Sequence, residues 1–293
     1  MKKQKHISNE TLLRLATYAS VLTATILISV KLYAWVMTGS VSILASLVDS
    51  IMDVTASVVN LFAIAHSLRP ADNEHRFGHG KAESLAGLGQ SVLIMLSAGF
   101  LLFSAVDRFR APVEIESFSL GTGVIIFSIA LTLLLVSFQA YVVKRTDSLA
   151  LKADALHYRA DLITNIGILF ALAGVHYGLV FMDPLLAILI ALYIVYSAWG
   201  IAEDAVQTLL DRELPDEMRE KIMMIASGVE QVHSIHDLRT RRSGLTVFIQ
   251  LHIELDETLS LKDAHEIADR VEFLLRAGIP NADVIIHEDP MSI

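Results

Sequence analysis

The chain contains no cysteine, which excludes disulfides, iron–sulfur clusters and thiolate metal sites. Any transition metal it holds must sit on histidine and carboxylate. It is also short of charge, with 19% Asp, Glu, Lys and Arg against roughly 25% in an ordinary soluble domain. Hydrophobic residues make up 54% and the mean hydropathy is +0.54, so a soluble globular protein is excluded. No basic excess is present: the net charge is −9, which argues against nucleic acid as a partner, since that calls for a basic face. Two catalytic signatures are missing as well. The nearest approach to His-Glu-x-x-His is His265-Glu266-Ile267-Ala268-Asp269, which lacks the second histidine. Asp161 follows Tyr158-Arg159-Ala160, not a Gly-x-Gly stretch, so intramembrane proteolysis is not expected and the chain does not read as an enzyme.

What is present is long apolar runs. Ser84 to Val106, Ser117 to Val143, Leu162 to Met182 and Pro184 to Ala202 contain no Asp, Glu, Lys or Arg. Each is about as long as the ~20 residues a helix needs to cross a ~30 Å hydrocarbon core. With two spans at the start, and a fifth that must begin near Ser148, the reading is six transmembrane helices, about 12–37, 41–68, 82–107, 117–143, 148–174 and 180–204. Lys2, Lys3 and Lys5 precede the first span, but no small-residue cleavage site follows, so the first helix is read as an anchor and not a removable signal. Lys and Arg gather at the N-terminus, in the 69–81 loop, in the 144–152 loop and at Arg212. The positive-inside rule then places both termini in the cytoplasm.

The composition changes near residue 209. From there to the end the chain has 9 Lys and Arg against 17 Asp and Glu, an acidic part following an apolar one, so the domains are read as 1–208, transmembrane, and 209–293, cytoplasmic. Pro215 to Ser227 reads as a helix, Val232 to Arg241 and Leu245 to Leu255 as strands about an Arg242-Ser243-Gly244 turn, Ser260 to Ala277 as a helix and Ala282 to His287 as a strand. That α-β-β-α-β order predicts a small α+β sandwich, one layer of helices on a three-stranded sheet.

Charges inside the spans carry the functional signal. Asp49 and Asp53 are four apart in the second span, which puts both on one helix face, and His157 and Asp161 repeat that spacing in the fifth. A carboxylate at the bilayer centre costs about 2.5–3.5 kcal/mol on insertion scales, so such residues normally line a site or pathway. Four ligands, two from each helix, suit a tetrahedral divalent ion. The competing explanation is ion pairing with Lys31 or Arg159. Ligands must lose protons to bind metal, so metal binding and protonation exclude one another, the chemistry of an antiporter. Asp154, three residues before His157, reads as facing water, with a role in cation access as the alternative. Asn60, Asn165, Gln90 and Gln139 read as cross-helix hydrogen-bonding residues.

Outside the spans, Asp72, His75 and His79 could supply three ligands in one loop, although polar loops also hold such residues without metal. Lys81 and Asp211, at the loop's end and at the domain junction, could form an ion pair. Five of the eleven histidines fall in the last 85 residues: His233, His236, His252, His265 and His287. His236, His252, His265 and His287, with Asp289, would form a site if their elements converge. His233, His6, His66 and His176 read as ordinary surface or packing residues.

At these residues the chain resembles the cation diffusion facilitators, in particular their bacterial zinc and ferrous-iron efflux branch. The resemblance rests on Asp49-x3-Asp53, on His75-Arg76-Phe77-Gly78-His79-Gly80-Lys81-Ala82-Glu83 and on Ala155-Leu156-His157-Tyr158-Arg159-Ala160-Asp161, and it covers essentially the whole chain. It implies a proton-coupled exporter of Zn2+, with Cd2+ and Fe2+ as alternative substrates, in the inner membrane, working by alternating access as a homodimer. Asp49, Asp53, His157 and Asp161 would be the transport site, and Asp72, His75 and His79 a loop site. His236, His252, His265, His287 and Asp289 would be a binuclear zinc site at the dimer interface in a metallochaperone-like domain, with Asp289 bridging. Lys81 and Asp211 would form a charge interlock between protomers. A sensor that binds without transport, and a channel without proton coupling, are the rival classes.

Overall fold

The computed structural model describes residues 8–39, 41–110, 120–176 and 181–291. The side chains of residues 38, 41–43, 45, 49, 108–110, 120–122, 171–173, 175 and 176 also lie outside the description. Six long helices come first: α1 (Asn9–Thr38), α2 (Val41–Ser67), α3 (Lys81–Arg110), α4 (Leu120–Thr146), α5 (Leu149–His176) and α6 (Met182–Leu209). They are followed by α7 (Asp216–Ser227), β1 (Ser234–Ser243), β2 (Thr246–Leu255), α8 (Leu261–Gly278) and β3 (Ala282–Pro290). Two compact units divide the chain, Met1–Arg69 with Ala82–Val206, and Pro70–Lys81 with Gln207–Ile293.

In the first unit, α1, α2, α4 and α5 pack against one another. α3 and α6 reach α5 through Ile94, Ala98, Leu156, Ala160, Ile194 and Ala198. Outward faces carry Leu22, Phe62, Leu134, Tyr196 and other large apolar side chains in the open, as helices that are apolar all round require in lipid. Among the described residues five helices, α1, α2, α3, α4 and α6, are long and apolar enough to cross a membrane. α5 has the length, 28 residues, but carries Lys152, Asp154, Arg159 and Asp161. Ser8 caps α1, its hydroxyl accepting from the Thr11 N–H at 3.2 Å, and Gly39 closes it in the left-handed region, its N–H donating to the Trp35 carbonyl. Residues 117–119, read as the start of the fourth span, lie outside the description, as do Lys2, Lys3, Lys5, His6 and the 177–180 part of the last turn.

In the second unit the sheet order is β1-β2-β3, β1 antiparallel to β2 and β2 parallel to β3, the parallel return being made by α8. Along β2 the odd positions Val247, Ile249, Leu251, Ile253 and Leu255 are buried with Ile222, Val271 and Leu275 of the two helices. At about 1.5–3 kcal/mol for each fully buried aliphatic side chain, this one-sided core fixes the register, because a one-residue slip would expose it. The even positions Phe248, Gln250, His252 and Glu254 are thereby turned to the other face. The turn falls two residues later than the sequence reading placed it. Arg242 and Ser243 stay in the ladder, and Gly244, at φ +58°, opens a tight connection with Leu245, because glycine tolerates positive φ where arginine and serine do not.

Candidate metal centres

The first centre joins α2 and α5 within the helical unit. His157 Nε2 lies 2.9 Å from Asp53 Oδ1 and 3.8 Å from Asp161 Oδ2. One ligand atom from each of the three falls within 4.8 Å of the others. The i, i+4 spacing stacks His157 and Asp161 on one face of α5, and α2 brings Asp53 to it. Asp49 is in the same helix, but its side chain lies outside the described residues. Lys31 does not neutralise Asp53. Its ammonium donates to Ser50 Oγ at 2.7 Å and to the Ser46 carbonyl at 3.2 Å, and Arg159 is exposed on α5.

Asp154 corrects the sequence reading. It is 0% exposed, not solvated, because it lies on the face of α5 that meets α1, α3 and α4. Ser20 Oγ donates to its Oδ2 at 2.6 Å, Gln139 Nε2 to the same oxygen at 2.7 Å and Gln90 Nε2 to Oδ1 at 3.4 Å. Gln90 and Gln139 thus bond across helices as expected. Asn60 does not: its amide is buried with neither polar atom hydrogen-bonded. Sequence reasoning passed over Tyr158, whose hydroxyl lies 2.7 Å from Ser57 Oγ and 3.3 Å from the Ser20 carbonyl, tying α5 to α2 and α1. Its only signal was its place beside His157.

The second centre is a loop. Asp72, His75 and His79 bring three ligand atoms within 4.8 Å, with His79 Nε2 3.3 Å and His75 Nδ1 3.5 Å from the Asp72 carboxylate. Asp72 is preset by the chain itself. The His75 and Glu74 N–H groups donate to Oδ1 at 2.7 and 3.0 Å, and the His75 bond first of all holds the Asp72 carboxyl below its ordinary range. Beyond the loop, Lys81 Nζ meets Asp211 Oδ1 at 3.0 Å and Arg241 Nη1 meets the same oxygen at 3.3 Å. The Lys81–Asp211 ion pair therefore closes within one chain. Partial burial works against the Asp211 anion, but the two cations outweigh it and lower its pKa. The Arg241 guanidinium also lies 4.8 Å from the Phe77 ring centre and 4.5 Å from that of Phe248. The Phe77 contact was not legible, because Arg241 and Phe77 are 164 positions apart in sequence.

The third centre spans the open face of the sheet. His236 pairs with His252 across β1 and β2, and His252 with His287 across β2 and β3, so three imidazoles lie side by side. Asp289 reaches all three: His252 Nδ1 at 2.7 Å, His287 Nε2 at 3.2 Å and His236 Nε2 at 3.4 Å. The His252 hydrogen bond first, then the nearby imidazoles, lower the Asp289 pKa. A register shift after His236, with Asp237 at φ 49°, ends the regular pairing there and leaves His236 at the edge of the cluster. His265 is not brought to it within one chain. It lies on α8, 3.7 Å from Asp269 and 3.9 Å from Glu288. Glu254, unremarked in the sequence, comes within 3.8 Å of His236. The donor set, imidazole and carboxylate without sulfur, fits Zn2+.

Comparison with known proteins gives matches along nearly the whole chain. Residues 17–210 match the cation efflux transmembrane domain and residues 214–291 the cytoplasmic domain of cation efflux proteins. The chain is 49% identical over 270 residues to the cation-efflux pump FieF of Yersinia pestis, covering 92% of this chain and 90% of that protein. The FieF pump of Yersinia pseudotuberculosis matches to the same extent, 49% identity over 270 residues. The metal-bound C-terminal domain of the CzcD transporter from Thermotoga maritima is similar at 32% identity, over 26% of this chain and 91% of that one, with a TM-score of 0.26.

Proposed function

The chain belongs to the cation efflux family, the cation diffusion facilitators, and from that premise we propose that it exports divalent metal from the cytoplasm in exchange for protons, as a homodimer in a bacterial inner membrane. It is a secondary transporter and not an enzyme. Zn2+ and Fe2+ are its substrates, with Cd2+ an alternative. α5 is the sixth span, its Asp154 and His157 tolerated because they meet neighbouring helices of the bundle, and both termini are cytoplasmic. Residues 1–208 form the transport domain, and 209–293 a cytoplasmic domain that senses metal and strengthens the dimer.

The observation that carries this reading is the 2.9 Å contact between His157 Nε2 and Asp53 Oδ1. A carboxylate oxygen and a bare imidazole nitrogen repel, so this short contact needs a hydrogen between the two, on Nε2 or on the carboxyl oxygen. Binding metal through that nitrogen requires the same hydrogen to leave. Proton and cation therefore compete for one position, which is what exchange demands. The transport quartet is Asp49, Asp53, His157 and Asp161. It loads from the cytoplasm with its groups deprotonated, the protomer turns outward, and protonation of His157 and a carboxylate expels the ion. Alternating access then returns the protonated site.

Asp72, His75 and His79 form a loop site that draws cations to the cytoplasmic side. His236, His252, His265, His287 and Asp289 would hold two zinc ions at the dimer interface, where the metal would cross-link these elements. The Lys81–Asp211 pair, closed within each chain, is the charge interlock that braces the junction between protomers. Zn2+ flux in proteoliposomes, with and without an imposed pH gradient, tests the reading. Wild type transports faster with the gradient, and Asp53→Ala, which removes the group that shares the exchanged hydrogen, transports at the protein-free rate. Flux indifferent to pH would make the protein a uniporter or channel, and metal binding without flux a sensor.

A further inference from the structure

One buried acid has no part in the scheme above. Asp154 is 0% exposed, and no Lys or Arg among the described residues pairs with it. α1 presents Ser20, α3 presents Gln90 and α4 presents Gln139, all neutral. Among the charged and titratable groups around it, His157 and Tyr158 lie about one turn on along α5, with Asp161 a further turn away and Asp53 of α2 beyond His157. Glu83 is seven residues before Gln90 on α3, and Lys152 of α5 is occupied by Asp147 at 2.6 Å. A carboxylate placed in a helical bundle without a counter-charge is costly, and such residues in membranes mark proton relays.

The hydrogen bonds around it are one hydrogen short. Ser20 has a single hydroxyl hydrogen but two acceptors within reach, Asp154 Oδ2 at 2.6 Å and the Ala16 carbonyl at 3.1 Å. Gln139 Nε2 donates to Asp154 Oδ2 at 2.7 Å and to Ser20 Oγ at 3.0 Å, while Gln139 Oε1 is buried with no partner. Buried polar atoms are normally paired, so two acceptors that share one hydroxyl hydrogen leave a place for one more proton. Placed on Asp154 Oδ2, that proton is donated to Ser20 Oγ, and the Ser20 hydroxyl rotates to give its own hydrogen wholly to Ala16. Ser20 Oγ then accepts from Asp154 and Gln139 and donates once, its full capacity. Without the proton, the hydroxyl turns back to the carboxylate. In both states each hydrogen of Ser20 and Asp154 has an acceptor without a helix moving.

We propose that Asp154 is a second proton carrier of the exchange cycle, which takes up and releases one proton per cycle through the Ser20 hydroxyl switch and never touches the metal. The proposal rests on the antiport reading, and the step is a protonation: the carboxylate becomes a carboxylic acid with a proton from the outward-facing water, and returns it on the cytoplasmic side.

The steady-state metal gradient that a fixed pH difference sustains tests this in proteoliposomes clamped at zero membrane potential. The attainable Zn2+ ratio scales as the pH ratio raised to the number of protons exchanged, so losing one proton per ion lowers it by about tenfold for each pH unit. Asp154→Asn, which keeps the shape and cannot take up the proton, is expected to show that tenfold drop while still moving Zn2+. Wild type that builds no gradient would overturn the antiport reading. Wild type and Asp154→Asn that build the same gradient would overturn this proposal alone. If Asp154→Asn fails to fold, infrared difference spectra of the reconstituted full chain on acidification decide the matter. The expected result is a buried carboxylic acid carbonyl band that Ser20→Ala shifts, and the absence of any band sensitive to Ser20→Ala overturns the proposal.

Discussion

Asp211 shows how single charges are held in this chain. Its carboxylate accepts from both Lys81 and Arg241, and its pKa is lowered below the unfolded value of 3.8. A depressed folded-state pKa means that the stabilisation is present above the unfolded pKa and is lost as pH falls through the folded one. The ion pairs are partly exposed, 36% for Lys81 and 43% for Asp211, so solvent screening limits each to about 1 kcal/mol or less. Asp211→Asn is therefore expected to lower the thermal midpoint of the full chain in detergent at pH 7 by a few degrees. The difference from wild type should shrink as pH falls below about 4, and a constant difference across that range would contradict the pairing. At this scale the sequence was informative wherever spacing alone decides geometry: His157 and Asp161 are four apart on a helix, and His287 and Asp289 two apart on a strand. It failed at Asp154, because burial depends on which helices meet that face of α5, a three-helix property that no local pattern records.

Among the elements, the loop of residues 70–81 and the β1–β2 hairpin are locked together by lack of side chain. A Cβ on Gly80 would lie 2.4 Å from the Ser243 backbone carbon and oxygen, so only glycine lets the two segments meet there. Gly80→Ala must push the loop off the hairpin. The expected cost is about 1–3 kcal/mol, typical of overpacking, together with weaker Zn2+ binding at Asp72, His75 and His79. Isothermal titration of the full chain against His79→Ala checks it: Gly80→Ala that keeps the loop affinity would show the contact to be idle. The α-β-β-α-β order of the second unit was legible from helix and strand signals. The β1–β2 turn was misplaced because Arg242 and Ser243 look like turn residues, whereas the positive φ that the connection needs falls on Gly244 alone. The convergence of His236, His252 and His287 was legible only as a condition. It is met because His252 pairs in register on both sides, a pairing set by the buried odd positions of β2 and not by the histidines themselves.

For the molecule as a whole, the distribution of charge follows the division of labour. Acidic residues are concentrated after residue 209, and within the apolar helices Asp53, Asp154 and Asp161 lie on or against α5. That helix carries His157 and Asp161 on one side and Asp154 on another, and its place among α1, α3 and α4 buries Asp154. The account stands on the claim that metal and proton exchange for one another at the α2–α5 centre. Simultaneous recording of luminal Zn2+ and luminal pH in proteoliposomes, after Zn2+ is added outside without an imposed pH gradient, tests it most directly. The account predicts that Zn2+ influx drives luminal alkalinisation in wild type, and that both signals vanish together in His157→Ala. Zn2+ influx with no change in luminal pH, or coupled influx that survives in His157→Ala, would contradict it.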